Sequence, residues 1–453
     1  MTIKTLLVAN RGEIAVRIIR AAKTLGMNTV QVHSAADGTM LAAKLADQAV
    51  EIGPPAASKS YLNADAIIAA AKETGADAVH PGYGFLAENA TFAAKVADAG
   101  LTFVGPSADV ISKMGDKVAA REVARAAGVP TVPGSDGLVA DVDEGRRIAE
   151  EVGYPVIIKA SAGGGGRGIR LAEDASAFER LFPQASMEAQ AAFGDGGLYV
   201  EKVIAPARHV EVQLLGDGTR AVHVFERECS LQRRRQKVWE EAPSAALPAD
   251  VRDKLCQSAI ALAEAVGYQG AGTVEYLYSD AAGEFYFIEM NTRIQVEHPV
   301  SEMITGIDLV GEMLRIASGT PLRMRQDDIV PRGHAIEVRL NAEDPRNNFM
   351  PAPGRIEALE TPGGPGVRFD TMLYTGYDVP PFYDSLLGKL IVHGEDRAAA
   401  LARLDVALSE LTIEGLATTA PLFRALLKSP EVQKGEAHIT WLETWLETHA
   451  TTL

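Results

Sequence analysis

The chain carries two cysteines in 453 residues, Cys229 and Cys256, and no Cys-x-x-Cys pair. That excludes a disulfide framework and a thiolate zinc site. No two of the nine histidines stand at i, i+4 spacing, which removes the paired-histidine helix of zinc peptidases. Aromatic residues make up only 6%, and no apolar run approaches a membrane span. The stretch after Met1 is too short for a secretory leader, because Thr5-Leu-Leu-Val-Ala9 runs straight into Asn10-Arg11-Gly12. Positive charge is in deficit as well: 44 Lys and Arg stand against 60 Asp and Glu, a net charge of −16. Such a surface repels phosphate backbones and anionic lipid, so neither nucleic-acid nor membrane binding is expected. The expected location is the cytoplasm.

What is present is ordinary globular composition, 47% hydrophobic and 23% charged, over a length suited to roughly two to four domains. The first hundred residues predict strands at 5–9, 29–33, 78–80 and 101–104, alternating with helices at 13–25, 64–72 and 90–99. This rhythm indicates a parallel α/β sheet. A lone Gly12 after the first strand is not the glycine fingerprint of dinucleotide binding. The Pro/Gly-rich connection Val129-Pro-Thr-Val-Pro-Gly-Ser-Asp136 marks a boundary. Beyond it the pattern predicts a helix at 141–152 and strands at 155–160, 198–202, 210–215 and 221–226. A helix at 251–266 and a strand pair at 272–278 and 284–291 follow. Short strands and turns dominate from His334, and a helix at 397–411 closes the core.

Three local patterns point to chemistry. Lys159-Ala-Ser-Ala-Gly163-Gly-Gly-Gly-Arg167-Gly168 is a glycine string flanked by cations, between two predicted strands. Backbone N–H groups in such a string can converge on an anion, so a mobile phosphate lid is favoured over a plain linker. In the strand pair, alternation puts Glu289 and Asn291 on one face, and a hairpin centred on Ala282 sets Glu275 opposite Glu289. Two carboxylates about 5 Å apart repel by roughly 3 kcal/mol at an effective dielectric of 20, so a cation is needed. Oxygen ligands alone select Mg²⁺ or Mn²⁺. Next, Arg293, Gln295 and Glu297 share one side of an extended segment: a cation to bind an oxyanion, an amide to orient it, a carboxylate to take its proton. Gln232-Arg-Arg-Arg-Gln-Lys237 is a cationic run suited to an anionic substrate or to a solvated face. Arg339 could reach a site or simply pair with Glu337. Lys117 falls in a predicted connection, and Cys229 resembles a small buried hydrophobe.

Taken together, Asn10–Ala15, His80-Pro-Gly-Tyr83-Gly-Phe85 through Asn89, the glycine loop, Gln232–Lys237 and Glu289–Pro299 resemble the biotin carboxylase family of the ATP-grasp superfamily. The run Phe287-Ile-Glu-Met-Asn-Thr-Arg-Ile-Gln-Val-Glu-His298 is the most specific element, and the resemblance covers essentially the whole chain. It implies an N-terminal α/β domain over 1–115, an ATP-grasp domain over 116–330 with a mobile lid at about 131–204, and a C-terminal α+β domain over 331–453 that completes the site. It implies that Mg-ATP phosphorylates bicarbonate to carboxyphosphate, which carboxylates the N1′ of biotin. ATP-contacting positions would be Lys117, Lys159, Gly165, Gly166, Glu201, Lys202, His209, Gln232, Arg235 and Leu277. Glu275, Glu289 and Asn291 would hold two divalent ions. Arg293, Gln295 and the Val296 backbone would cradle bicarbonate, with Glu297 as its base. Lys237 would stabilise developing negative charge, Arg339 would hold the enolate form of the ureido group, and Tyr83 would line the biotin pocket. Arg235 departs from the histidine or asparagine expected there, and Ala162 from a glycine.

No methionine precedes a lysine, so the biotin-bearing motif is missing, and no transferase-sized segment remains. The expectation is therefore a carboxylase subunit whose biotin is borne by a separate carrier protein, with separate carboxyltransferase subunits. The final acceptor, acetyl-CoA, another acyl-CoA or pyruvate, is left open. A homodimer is implied by the family, through the helix bearing Arg17 and Arg20. Two competing readings are another ATP-grasp ligase and a non-catalytic nucleotide sensor.

Overall fold

A computed structural model describes residues 2–161 and 169–450. The early alternation of apolar strands and amphipathic helices forms a five-stranded parallel sheet. Thr5–Val8 lies at its centre between Asn28–His33 and Ala78–His80, with Gln48–Glu51 and Thr102–Phe103 at the edges. Leu6, Leu7 and Val8 are fully buried, as a central strand covered on both faces requires. The helix Gly12–Thr24 buries Ile14, Ile18 and Ile19 and also packs on the helix Leu309–Ala317 and the strand Val367–Thr371. Its first turn is thus enclosed by distant parts of the chain.

The second sheet positions the site. Eight strands run in the order Glu284–Asn291, Gln269–Ser279, Arg208–Asp217, Ala221–Arg233, Gln236–Ala242, His334–Asn341, Leu386–Gly394 and Val367–Thr371. Every pairing is antiparallel. Period-two alternation splits the strand Arg208–Asp217 into two faces. Val210, Val212 and Leu214 join Val274, Leu255 and Leu262 in a core beneath the helix Ala249–Ala265. His209, Glu211 and Gln213 face the other way. The strands Arg208–Asp217 and Ala221–Arg233 run longer than expected, and His209 and Arg227, just beyond the predicted spans, are buried on this polar face.

A third unit, the antiparallel strands Ile169–Ala172, Val156–Ala160 and Leu198–Lys202, packs on the helices Val142–Val152 and Ala175–Phe193. It has its own core of Val156, Ile158, Phe178, Phe182, Leu198 and Val200. Lys117, expected in a connection, instead opens the helix Lys117–Ala126. Asp116 caps that helix by accepting from the backbone N–H groups of Val118 and Ala119 at 2.9 and 3.0 Å. Gly165, Gly166 and the Ala162 departure lie outside the described residues. Among the described residues, no helix is long and apolar enough to cross a membrane.

Candidate active site

The hairpin sets Glu275 opposite Glu289, and the next strand adds Glu211 opposite Glu275, so three carboxylates lie in a row across three strands. A bulge between Glu275 and Tyr276 produces that register. Such a row is tolerable only if cations are threaded through it. Lys237 binds Glu211 and donates to Glu275 Oε1 at 2.9 Å and Glu297 Oε1 at 2.7 Å. Arg227, fully buried, donates to Glu211 Oε1 at 2.7 Å, Gln213 Oε1 at 2.6 Å and Gln295 Oε1 at 2.7 Å. His209 Nε2 lies 3.0 Å from Glu275 Oε2, and its Nδ1 meets Gln232 Nε2 at 2.7 Å.

Burial opposes charge on Lys237, yet the surrounding carboxylates overcome it and hold the ammonium well above its usual range. Burial likewise works against Glu275, and Lys237 and His209 reverse this, so its carboxyl is held low. Glu289 differs. Burial and then the charge of Glu275 push its pKa up, with Lys117 acting weakly in the other direction. Lys117 and His209 act on it but do not outweigh burial and Glu275. A carboxylate pair whose mutual repulsion is only partly offset is a donor set for a divalent cation, so Mg²⁺ or Mn²⁺ fits here. Asn291 presents its amide to Glu275 Oε1 at 2.8 Å, and its oxygen accepts from Arg293 at 2.9 Å. It borders the carboxylate pair with both polar atoms engaged.

The following segment is extended only as far as Gln295; Val296 and Glu297 turn into the helix His298–Thr305. Arg293 Nε donates to Glu88 Oε2 at 2.9 Å, and the other Glu88 oxygen accepts from Thr292 N–H at 3.0 Å. The Gln295 amide is fixed at both ends, accepting from Arg227 and donating to Glu275 Oε1 at 2.8 Å. Glu297 divides its oxygens between Lys237 and Arg339, the latter at 2.9 Å. Burial opposes its ionisation, but Lys237 and Arg339 prevail and hold it well below the usual carboxylate range. Arg339 also donates to Glu240 Oε1 at 2.6 Å. It therefore reaches the site and does not pair with Glu337, which stands two residues away on the same strand, roughly 7 Å along it.

Lys237, Glu275, Glu289, Arg293, Gln295 and Val296 line one cleft of about 720 Å³, together with Glu297, Arg339, Asn291 and His209. Tyr83 forms part of its wall and donates its hydroxyl proton to Glu13. Arg235 sits at the cleft on the exposed tip of a hairpin, with φ +65°. Among the described residues, the other predicted nucleotide contacts do not line this cleft. Glu201 is ion-paired by Lys159 and Arg121 on the three-stranded unit. Lys117 lines a separate groove of about 190 Å³ with Arg121, Arg125 and Tyr199. Lys202 is partly exposed at the end of its strand. Leu277 is partly buried, in register with His209.

Sequence reasoning passed over Glu211, Arg227, Glu240 and Glu88. The alternation His209-Val-Glu211-Val-Gln213 was a usable signal, since it sets three polar groups on one strand face. Arg227 and Glu88 carried no such mark. Arg17, assigned to a dimer surface, is mostly buried and pairs with Glu302 at 2.8 Å and with Asp308, whereas Arg20 is exposed.

Three family models match: "Biotin carboxylase, N-terminal domain" over residues 2–111, "Carbamoyl-phosphate synthase L chain, ATP binding domain" over 116–325, and "Biotin carboxylase C-terminal domain" over 337–444. The biotin carboxylase of Pseudomonas aeruginosa is 55% identical over 443 residues, 97% of this chain and 98% of that protein. A pyruvate carboxylase subunit from Methanothermobacter thermautotrophicus is 49% identical over 441 residues, 97% of this chain and 89% of that one. Among solved structures, the biotin carboxylase domain dimer of Hydrogenobacter thermophilus 2-oxoglutarate carboxylase, in complex with MgADP, ADP and bicarbonate, superposes with a TM-score of 0.91. It is 47% identical, and the match covers 100% of this chain and 99% of that one.

Proposed function

The chain belongs to the biotin carboxylase family, ATP-dependent ligases that use Mg²⁺, and on that basis we propose how its own residues carboxylate biotin. The observation that carries the reading is the linkage of Glu297 to both Lys237 and Arg339, beside Gln295 and Arg293, in one cleft with the facing pair Glu275 and Glu289. Bicarbonate lies against the Arg293 guanidinium, the Gln295 amide and the Val296 N–H. Glu297 takes its proton, an oxygen attacks the γ-phosphorus of ATP, the bond to the bridging oxygen breaks, and ADP leaves as carboxyphosphate forms. Glu275 and Glu289, with Asn291 alongside, would hold a divalent ion, which would neutralise charge on the phosphate oxygens. Lys237 offsets negative charge as the phosphoryl group moves; carboxyphosphate then breaks to CO₂ and inorganic phosphate, the phosphate takes the N1′ proton, Arg339 holds the ureido oxygen of biotin as the enolate so formed, and N1′ adds to CO₂.

This division of labour accounts for the low basicity of Glu297 in the unliganded site. While Lys237 and Arg339 both rest on it, its pKa is depressed. Once Lys237 turns to phosphate and Arg339 to the ureido oxygen, the carboxylate regains its basicity. Lys117, Lys159, Glu201, Lys202, His209, Gln232, Arg235 and Leu277 are assigned to ATP, and Tyr83 to the biotin wall. The three-domain division at about 115 and 330 is part of the same proposal, as are a homodimer, a cytoplasmic location, a separate biotin carrier protein and separate carboxyltransferase subunits. Acetyl-CoA carboxylase is the parent activity we favour. The pyruvate carboxylase relative supports a second parent, with the acceptor chosen by the transferase. The test is ATP hydrolysis by the purified chain with Mg²⁺ and bicarbonate. We expect turnover that requires bicarbonate and rises with free biotin. Turnover indifferent to biotin would point to a different ATP-grasp ligase.

A further inference from the structure

The bicarbonate cradle is held from behind by groups that no step of the carboxylation uses. Two consecutive peptide planes matter, since Val296 N–H belongs to the first and Glu297 N–H to the second. The first contains the Gln295 carbonyl, which accepts from His298 Nδ1 at 2.7 Å. The second contains the Val296 carbonyl, which accepts from Lys389 Nζ at 2.7 Å. His298 and Lys389 are both fully buried, and neither lines the cleft. Burial, reinforced by the cations Lys389, Arg17 and Arg368, keeps the His298 imidazole well below its usual pKa. The ring is therefore neutral, and its contact with a carbonyl places the proton on Nδ1. Lys389 Nζ also lies 3.2 Å from Glu13 Oε1, the oxygen that accepts from the Tyr83 hydroxyl.

We infer that His298 and Lys389 are positioning residues for bicarbonate: His298 aims the Val296 N–H, and Lys389 sets the peptide that carries Glu297 and ties it through Glu13 to Tyr83. The inference rests on the cradle assigned above. A peptide plane pinned by a buried donor does not rotate as substrate arrives, and a misplacement of 1 Å at a reacting group can cost on the order of 10²-fold in rate. Lys389 stands in register with Arg339 on the adjacent strand, so the same strand pair orients the cradle and the ureido-binding cation. The first helix, through Glu13, and the wall residue Tyr83 join that line from the parallel sheet.

The test compares the full native chain with four variants in ATP turnover driven by bicarbonate and free biotin. The first pair is His298→Leu, which removes the donor, and His298→Asn, which keeps one. The second pair is Lys389→Met with Glu13→Gln, which removes both members of that ion pair together, and Lys389→Arg. We expect His298→Leu and the double variant to raise KM for bicarbonate by about tenfold or more, with KM for ATP within about twofold. His298→Asn and Lys389→Arg recover most of that loss. The inference is overturned if folded His298→Leu keeps a native bicarbonate KM, if KM for ATP rises in step, or if His298→Asn is no better than His298→Leu. Should the lysine variants not fold, the histidine pair decides alone. Native protein without bicarbonate-dependent turnover would sink the functional reading and this inference with it, whereas active native protein with unaltered variants sinks the inference only.

Discussion

Glu297 has both oxygens engaged by cations and is nearly inaccessible to water, at 2% exposure. Glu297→Gln keeps the shape and removes the proton acceptor. We expect kcat for bicarbonate-dependent ATP turnover to fall by about 10²–10⁴-fold, the range of general-base contributions, with KM for ATP little changed. Steady-state kinetics at saturating nucleotide measures this, and a native kcat would remove Glu297 from its role. At this scale the sequence was uneven as a guide. Arg293, Gln295 and Glu297 were visible because they are near neighbours in one segment. Arg227 was not, although it binds Glu211, Gln213 and Gln295 at once. Its partners come together only when three strands and a later loop assemble, and a lone arginine among buried residues gives no local sign of that.

The hairpin of Gln269–Ser279 and Glu284–Asn291 is the element on which the proposed metal site depends. Its pairing of Glu275 with Glu289 was legible from the turn, but the route was not. Ser279 pairs with Glu284, and an unbroken ladder from there would set Glu275 against Ile288. The bulge after Glu275 shifts the register by one residue and turns both carboxylates to one face. Nothing in the local sequence marks such a bulge, because it answers to packing against the neighbouring strand. Without metal, Glu289 and Glu275 oppose each other, and Glu289 is raised by burial and by Glu275. Glu289→Gln should therefore raise the melting midpoint of metal-free protein by about 1–2 °C while abolishing Mg²⁺-dependent turnover. Calorimetry with chelator, alongside the turnover assay, tests both halves. A lower midpoint would show that the repulsion is already relieved without an ion.

Across the whole molecule, buried imidazoles set the response to acid. His80, at the end of a central strand of the parallel sheet, is fully buried; burial, and then Arg17, lower its pKa to about 3. Its Nδ1 accepts from Gly82 N–H at 3.0 Å, which the protonated ring cannot do. Burial lowers His223, in the antiparallel sheet, to about 4. Both rings are neutral when folded and take up a proton when unfolded below about pH 6.5. Their contribution is complete above that pH and is lost as pH falls toward 4 and 3. Between pH 7 and pH 5 each should cost about 2 kcal/mol of unfolding free energy. Denaturant titrations at the two pH values measure the loss, and His80→Asn, which can still accept from Gly82, should remove its share. An unchanged difference would show that His80 is already charged in the fold.

The long reach of these contacts also governs how such a chain can be recombined. Glu88 from the first hundred residues steadies Arg293, Glu13 meets Lys389, and Arg339 closes on Glu297 from beyond residue 330. Crossovers placed in the loops between sheets would leave every unit intact as a folded piece and still cut these pairings. Where a homologue carries different residues at these positions, a viable chimera must inherit both members of each pair from one parent, so the donor of the opening segment then dictates who donates the closing one.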